Sequence, residues 1–335
     1  MTARAPEPVL DERSVLVTGG TGSFGRCFVA TVLARYRPRR LVVFSRDELK
    51  QFEMAQAYGP ARYPCMRYVI GDVRDRDALH RALEGIDVVV HAAALKHVPT
   101  AEANPLEAVK TNVLGTANLV DAALDRGVGR VLALSSDKAA SPVNLYGATK
   151  LCADKLLVAA NRDGGASRFS VVRYGNVLGS RGSVVPVFLA RRAGGEVPIT
   201  DPRMTRFWIT LPQVVDFTLS CLERMQGGEV FVPKIPSMRL VDLARAVAPG
   251  CRMEVVGIRP GEKLHEVLIA PDDARQAVEY DDRYVILPPP GGPGGNGRSL
   301  RNGGRPCPED FRYSSESNPR WLSVEELRAM VEALG

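Results

Sequence analysis

Residues 14–25 read SVLVTGGTGSFG, a β-branched apolar run that meets glycines at Gly19, Gly22 and Gly25. An apolar run of this length stopped by glycine predicts a buried strand over 14–20. Residues 24–36 then carry helical spacing. A strand, a glycine-rich turn and a helix open a unit that cradles a dinucleotide. Gly19 permits the tight turn, Gly22 lets the backbone approach a pyrophosphate, and Gly25 lets the helix close on the sheet. Phosphates would then lie at a helix N-terminus, where unpaired N–H groups and the helix dipole favour negative charge. Thr21, Ser23 and Phe24 of the same turn are expected to join that contact.

Working outward, further strand-like runs fall at 40–46, 67–73, 87–94, 130–136 and 169–177. Helical patterns at 76–83, 105–126 and 145–161 separate them. Near-continuous apolar strands alternating with helices imply an α/β fold whose parallel sheet is covered on both faces. Right-handed crossovers make it a doubly wound sheet of the Rossmann type. Beyond Val177 the rhythm breaks into short Pro-, Gly- and Arg-rich segments, expected to form a smaller C-terminal substrate lobe over the carboxyl edge of the sheet. The expected organisation is a disordered lead over 1–13, an NADP-binding domain over 14–177 and a mainly substrate-binding lobe over 178–335. Within the lobe, PPPGGPGGNGRSLRNGGRP at 288–306 has the composition of a flexible insertion. A final amphipathic helix over 323–334 would open with Ser323 as N-cap and Glu326 completing a capping box.

Composition narrows the function. The 335 residues are 45% hydrophobic and 24% charged, near the averages for globular chains. No run approaches the roughly 20 apolar residues of a membrane span. The first residues lack the apolar centre of a secretory signal, so a cytoplasmic protein with no membrane partner is expected. The six cysteines are scattered, which argues against a disulfide framework and a zinc site; no metal is expected. A net charge of +6 suits an anionic ligand as well as it suits a solvated arginine-rich surface, and no dense basic run suggests nucleic acid.

The second strand ends in Ser45 and Arg46, where NAD enzymes usually place a carboxylate. A guanidinium with a hydroxyl suits a 2′-phosphate, so NADP is favoured over NAD, with Lys50 one helical turn on as a helper. The competing reading has Asp47 bind the ribose of NAD. Asp72, followed by Val73, is placed to meet the adenine, and Ala92, Ala93 and Ala94 leave room for the cofactor. Tyr146 and Lys150 stand four apart at the start of a helix and share a face. An ammonium beside a phenol lowers its pKa, and the phenolate can take a proton from a sugar hydroxyl. Asp137 and Lys138 follow the fifth strand, at the edge where ligands bind. They offer a proton donor and acceptor for an elimination; the plainer reading is a solvated salt bridge.

TGGTGSFG, SRDELKQ, AAALKHVP, SSDKAASPVNLYGATK, RYGNVLGSRGSVVP, TRFWIT and RPGEKLHE together resemble the inverting UDP-N-acetylglucosamine 4,6-dehydratases, extended short-chain dehydrogenases of pseudaminic-acid-type pathways. The resemblance spans 14 to about 287 and returns at FRYSSESNPRWLSVEELRAMV. It implies that Tyr146 oxidises carbon 4, with Lys150 orienting the nicotinamide ribose and tuning Tyr146. Lys138 would be the base at carbon 5 and Asp137 the acid for the departing 6-hydroxyl. Hydride return to carbon 6 and reprotonation of carbon 5 from the opposite face would give a UDP-4-keto-6-deoxy-L-hexose.

The resemblance further implies UDP-N-acetylglucosamine or a close UDP-sugar as partner, and a homo-oligomer, dimer or hexamer. Lys96, His97, Asn176, Arg181, Val184, Val185, Thr200, Arg206, Arg259 and Glu262 would contact the sugar nucleotide. Lys96, Asn176 and Val177 would also border the cofactor. His97 reads equally as a structural histidine, and Asn112 as a structural tie between the active-site loop and its helix. The 288–306 insertion and Arg173-Tyr174, in place of a common Arg-Phe, depart from the family pattern. Rival readings are a UDP-sugar 4-epimerase, an alkene-forming 5,6-dehydratase and a non-catalytic NADP-binding regulator.

Overall fold

The computed structural model describes residues 8–161, 165–179, 184–288 and 303–333. Strand β1 (Ser14–Thr18) is buried along its whole length, as a strand between two helical layers must be. With β2 (Arg40–Ser45), β3 (Met66–Ile70), β4 (Val88–His91), β5 (Arg130–Leu134) and β6 (Arg168–Val172) it forms a parallel sheet ordered β3-β2-β1-β4-β5-β6. Alternate side chains serve opposite faces. Leu16 packs with Leu79, Leu119 and Leu157 on one side, while Val15 and Val17 pack with Phe28, Val32 and Leu222 on the other. The strand order reverses between β1 and β4, which opens a crevice at the carboxyl ends of the strands.

The helices that feed this crevice are α1 (Ser23–Arg35), α2 (Glu48–Ala57), α3 (Arg76–Ala82), α4 (Val98–Ala103), α5 (Pro105–Val109), α6 (Gly115–Asp125) and α7 (Leu145–Ala159). The continuous helix expected over 105–126 is interrupted by a π-turn at Lys110–Leu114. π-turns inside helices often mark functional sites. Here the turn carries Asn112, whose amide bonds both backbone groups of Leu95 and donates to Thr149 Oγ1 at 3.0 Å. The loop after β4 is thereby fixed to α7.

The sheet does not end near Val177. Val230–Pro233 adds in parallel beside β6, and Arg283–Ile286, Ala277–Glu279 and Arg305–Pro306 continue antiparallel to make ten strands. Their pairing is non-local, so the break in local rhythm hid it. The last residues of the expected flexible insertion therefore form an edge strand, and 289–302 lie outside the described residues. The expected disordered lead also differs from the structure: Leu10 is fully buried and Val9 nearly so, against the α1 face of the sheet. Residues 1–7 lie outside the described residues.

The remaining chain forms a lobe with its own core, where Phe188, Trp208, Leu243 and Leu327 pack together. Asn176–Val177 leaves the main sheet and pairs with Thr205–Ile209. Gly175 allows this close passage, since a Cβ there would stand 2.4 Å from the Cβ of Phe207. The terminal helix Val324–Glu332 opens with the expected reciprocal Ser323–Glu326 capping box.

Candidate active site

A cleft of about 1020 Å³ runs along the carboxyl ends of β1 to β6 and under the lobe. Its floor is the glycine turn. Gly19 has φ +63°, and a Cβ there would lie 2.9 Å from the Ala93 backbone. A Cβ on Gly25 would collide with the Gly20 carbonyl at 2.3 Å, so only glycine lets α1 start this close to β1. Gly22 is the N-cap of α1, with no side chain covering the first amides. Thr21, Ser23 and Phe24 line the same floor, and Ala92, Ala93 and Ala94 form the wall. These residues fit a dinucleotide: the pyrophosphate gets a bare helix N-terminus and the wall keeps side chains short.

At the rim beyond β2 the charges are arranged more tightly than spacing alone suggests. Asp47 caps α2 by accepting from Lys50 N at 3.0 Å, and the Lys50 ammonium pairs with the same carboxylate. Asp47 is thus engaged within its own helix start. Arg46 keeps 58% of its side chain exposed and stands 3.7 Å from Asp72. Asp72 also takes the guanidinium of Arg74 at 2.7 Å and 3.0 Å, and its carboxyl is held below the usual range because these hydrogen bonds and charges outweigh its burial. Ser45 accepts from Gln51 Nε2, and Val73 lines the cleft beside it.

The deep end holds the acid–base groups. Ser136 caps a short turn, Asp137–Ala139, and donates to Asp137 Oδ1 at 2.9 Å. α7 starts immediately beside this turn. A Cβ on Gly147 would stand 2.2 Å from the Lys138 carbonyl, so the glycine of YGATK brings Tyr146 against the Asp137–Lys138 turn. The Lys138 ammonium lies 3.1 Å from Asp137 Oδ1 and 3.2 Å from Glu266 Oε1. The Asp137 and Glu266 side chains are 1% and 3% exposed, and Lys138, at 24%, opens into the cleft. This is a buried centre and not a solvated salt bridge.

Its ionisation follows from that geometry. Burial pushes the Asp137 carboxyl up, and Glu266 adds to this against the pull of Lys138. Lys138 itself is raised because its two carboxylates outweigh its burial. Burial drives the Tyr146 phenol up to about 12, opposed by Lys138 and by a hydrogen bond with Ser136. The ammonium that draws the phenol down is therefore Lys138, where YxxxK spacing had suggested Lys150. Lys150 is satisfied by the Leu134 carbonyl at 2.6 Å, and burial lowers it.

On the lobe side, Lys96, His97, Asn176, Val177, Val184, Thr200, Arg206, Arg259 and Glu262 all line the cleft. Asn176 Oδ1 is buried with no hydrogen-bond partner. Arg206 donates to the carbonyls of Thr205 and Leu264, and Arg259 pairs with Glu262 at 2.6 Å on the rim. Val185 does not face the cleft: it sits one residue round the helix from Val184 and packs into the lobe core. Arg181 lies outside the described residues.

Sequence reasoning passed over three groups. Glu266 and Lys263 sit within the RPGEKLHE stretch, of which only Arg259 and Glu262 had been singled out. Lys263 donates to the Ala140 carbonyl at 2.6 Å, and Asn144 Nδ2 to Gly261 O at 2.7 Å, so this stretch is laced to the Asp137–Ala139 turn. Behind α7, Arg173 pairs with Asp154 at 3.4 Å and Asp273 at 3.0 Å, and Asp154 accepts from Ser135. Arg173 and Asp154 interrupt otherwise apolar runs, and Lys263 and Glu266 lie inside a stretch that carries the family resemblance; nothing local in the sequence brought them together.

Comparison with known proteins adds to this geometry. The model of the polysaccharide biosynthesis protein family matches residues 15–288. The UDP-N-acetylglucosamine 4,6-dehydratase (inverting) of Campylobacter jejuni serotype O:2 is 50% identical over 96% of this chain and 98% of its own. Among solved structures, Pen from Bacillus thuringiensis superposes with a TM-score of 0.87 at 36% identity, covering 97% of this chain and 99% of Pen. DesIV, the dTDP-glucose 4,6-dehydratase of Streptomyces venezuelae solved with NAD and TYD bound, gives 0.67 at 26% identity over 75% of this chain and 86% of its own.

Proposed function

The chain belongs to the polysaccharide biosynthesis protein family and, within it, to the inverting UDP-N-acetylglucosamine 4,6-dehydratases, and from that premise we propose that it dehydrates UDP-N-acetylglucosamine, or a close UDP-sugar, with NADP as its resident cofactor. It is a hydro-lyase. The observation that carries the reading is the buried Asp137–Lys138 pair in one cleft with Tyr146 and the glycine turn. A 4-epimerase has no use for such a pair, since it eliminates nothing.

Bound against Gly19, Gly22 and Gly25, the nicotinamide dinucleotide would supply a hydride acceptor for carbon 4 and a hydride donor for carbon 6. Tyr146 receives the proton of the 4-hydroxyl. It takes that proton as a phenolate, which the Lys138 ammonium and the Ser136 hydroxyl favour, and holds it until the site resets. The 4-ketone then acidifies the carbon-5 proton. Moving one proton across the 3.1 Å from Lys138 to Asp137 turns an ion pair into an amine and a carboxylic acid. The amine takes the carbon-5 proton while the acid protonates the departing 6-hydroxyl as water. Asp137, pushed up by burial, suits the acid role. Arg206, Arg259 and Asn176 would hold the diphosphate and sugar, with guanidinium forks favouring phosphate oxygens. Arg46 at the rim suits a 2′-phosphate better than the engaged Asp47 suits a ribose hydroxyl.

Turnover in deuterated water, followed by nuclear magnetic resonance, tests this. Deuterium at carbon 5 with inverted configuration is expected. Retained configuration, an exocyclic alkene or a simple 4-epimer overturns the assignment. Lys138→Ala should lower kcat by about 10²–10⁴ while the cofactor stays bound.

A further inference from the structure

We propose that Glu266 is the positioning residue of the elimination centre, holding Lys138 toward the cleft and setting the pH at which the lysine works as a base. The inference rests on the reading of Lys138 as that base and goes one residue beyond it.

Glu266 arrives 128 residues after Lys138 in sequence, on the segment that leads into the strand Val267–Ile269. Its backbone is fixed from both sides: Glu266 N donates to Ser315 Oγ at 2.9 Å, and Ser315 N donates to Glu266 O at 2.9 Å. Ser315 Oγ is itself bonded to Thr205 Oγ1 at 2.7 Å. A carboxylate mounted this rigidly and buried this deeply is costly unless it meets a cation. Within ion-pair distance it meets Lys138 at 3.2 Å and Arg206 at 3.8 Å, and the more distant Lys263, held by the Ala140 carbonyl, adds its charge. Arg206 is occupied by two backbone carbonyls, so Lys138 is the movable partner. Glu266 Oε2 has no hydrogen-bond partner although it is buried, so the side chain is not there to complete a local network.

Lys138 is faced by Asp137 and Tyr146 from the catalytic turn and α7, and by Glu266, Lys263 and Arg206 from the lobe. Asp137 cannot anchor the lysine through the reaction, because it is the group that gives up a proton to the leaving hydroxyl. Glu266 keeps its negative charge throughout. It holds the amine in place in both protonation states and favours return of the proton as ammonium, the form needed to reset the site. A second proton on the Asp137–Lys138 pair leaves the lysine charged and idle, so the acid limb of the kcat–pH profile reports the proton affinity of the pair, which Glu266 raises.

The test compares kcat–pH profiles of the native holoenzyme, Glu266→Gln and Glu266→Asp, with thermal melts to confirm folding. Removing the carboxylate should move the acid limb down by about one to three pH units, the usual effect of one close opposite charge. Glu266→Asp, whose shorter arm retreats from Lys138, should move it part of the way, and KM for the UDP-sugar should stay put in both. A limb that does not move in a folded variant overturns the proposal. Should Glu266→Gln fail to fold, Glu266→Asp carries the same decision. Lys138→Ala is run alongside for solvent exchange at carbon 5. If it still exchanges, the base reading itself falls; if it is silent while the Glu266 limb stays fixed, only the role of Glu266 falls.

Discussion

At the carboxyl end of β5, one ammonium sits between the Asp137 and Glu266 carboxylates, which are 1% and 3% exposed. At the carboxyl end of β2, Arg46, Asp47, Lys50, Asp72 and Arg74 make a comparable mixture of charges with side chains 23% to 58% exposed. The residue types are alike and the consequences differ. On the rim, water screens each pair to a median of about 0–1 kcal/mol, so a ligand phosphate can exchange with a protein carboxylate at little cost. In the deep cluster screening is weak, charges shift one another's proton affinities, and proton transfer between neighbours becomes accessible chemistry. On the proposed function, burial would divide recognition from catalysis along a single cleft.

The sharpest way to break this contrast is Arg173→Met, behind the Asp137–Ala139 turn. The substitution removes the guanidinium paired with the Asp154 carboxylate, whose side chain is 4% exposed, leaving it the Ser135 hydroxyl and the Lys150 charge, and should cost about 3 kcal/mol in urea unfolding. A loss under about 1 kcal/mol would mean that deep pairs here behave like rim pairs.

A pH series sharpens it next. His91 is buried between Thr18 and Thr116, and burial lowers it from 6.5 to about 3. A depressed folded-state pKa means stability that is complete above pH 6.5 and is lost as pH falls toward that lower value. The loss should approach about 1.4 kcal/mol per pH unit, and His91→Gln should flatten the slope. The rim supplies the smaller effects. Arg46→Ala should weaken NADP about tenfold, the worth of one charged hydrogen bond, and leave NAD affinity unchanged by calorimetry. Arg252→Ala, which removes an exposed cross-strand pair with Glu196, should change stability by no more than about 0.5 kcal/mol.

Much of the first half and the start of the terminal helix were legible in the sequence because their signals are local. The strand β1, the Gly19–Gly22–Gly25 turn and the Ser323–Glu326 capping box each depend on residues a few positions apart. The Asp137–Lys138 turn and Tyr146 could be set in one cleft from strand order alone. What escaped were pairings across the chain. The antiparallel extension of the sheet joins residues 230–233 to 283–286, and the tie that Asn112 was expected to make reaches Leu95, as read, but from a π-turn and on to Thr149 as well, which were not foreseen. Val185 was placed one residue off because a helix start in a lobe with no clear periodicity leaves its facing undecided.

The sequence by itself determined the doubly wound sheet and the glycine turn that opens it. These follow from hydrophobic period and from backbone conformations that glycine alone permits. Only the tertiary structure decided the charge states and partners of the buried polar groups. It turned Lys150 toward the Leu134 carbonyl, drew the Tyr146 phenol under the influence of Lys138, and brought Glu266 to the other side of that lysine. The physical reason is that proton affinity depends on burial and on charges within a few ångströms, and neither quantity is a property of neighbours in sequence.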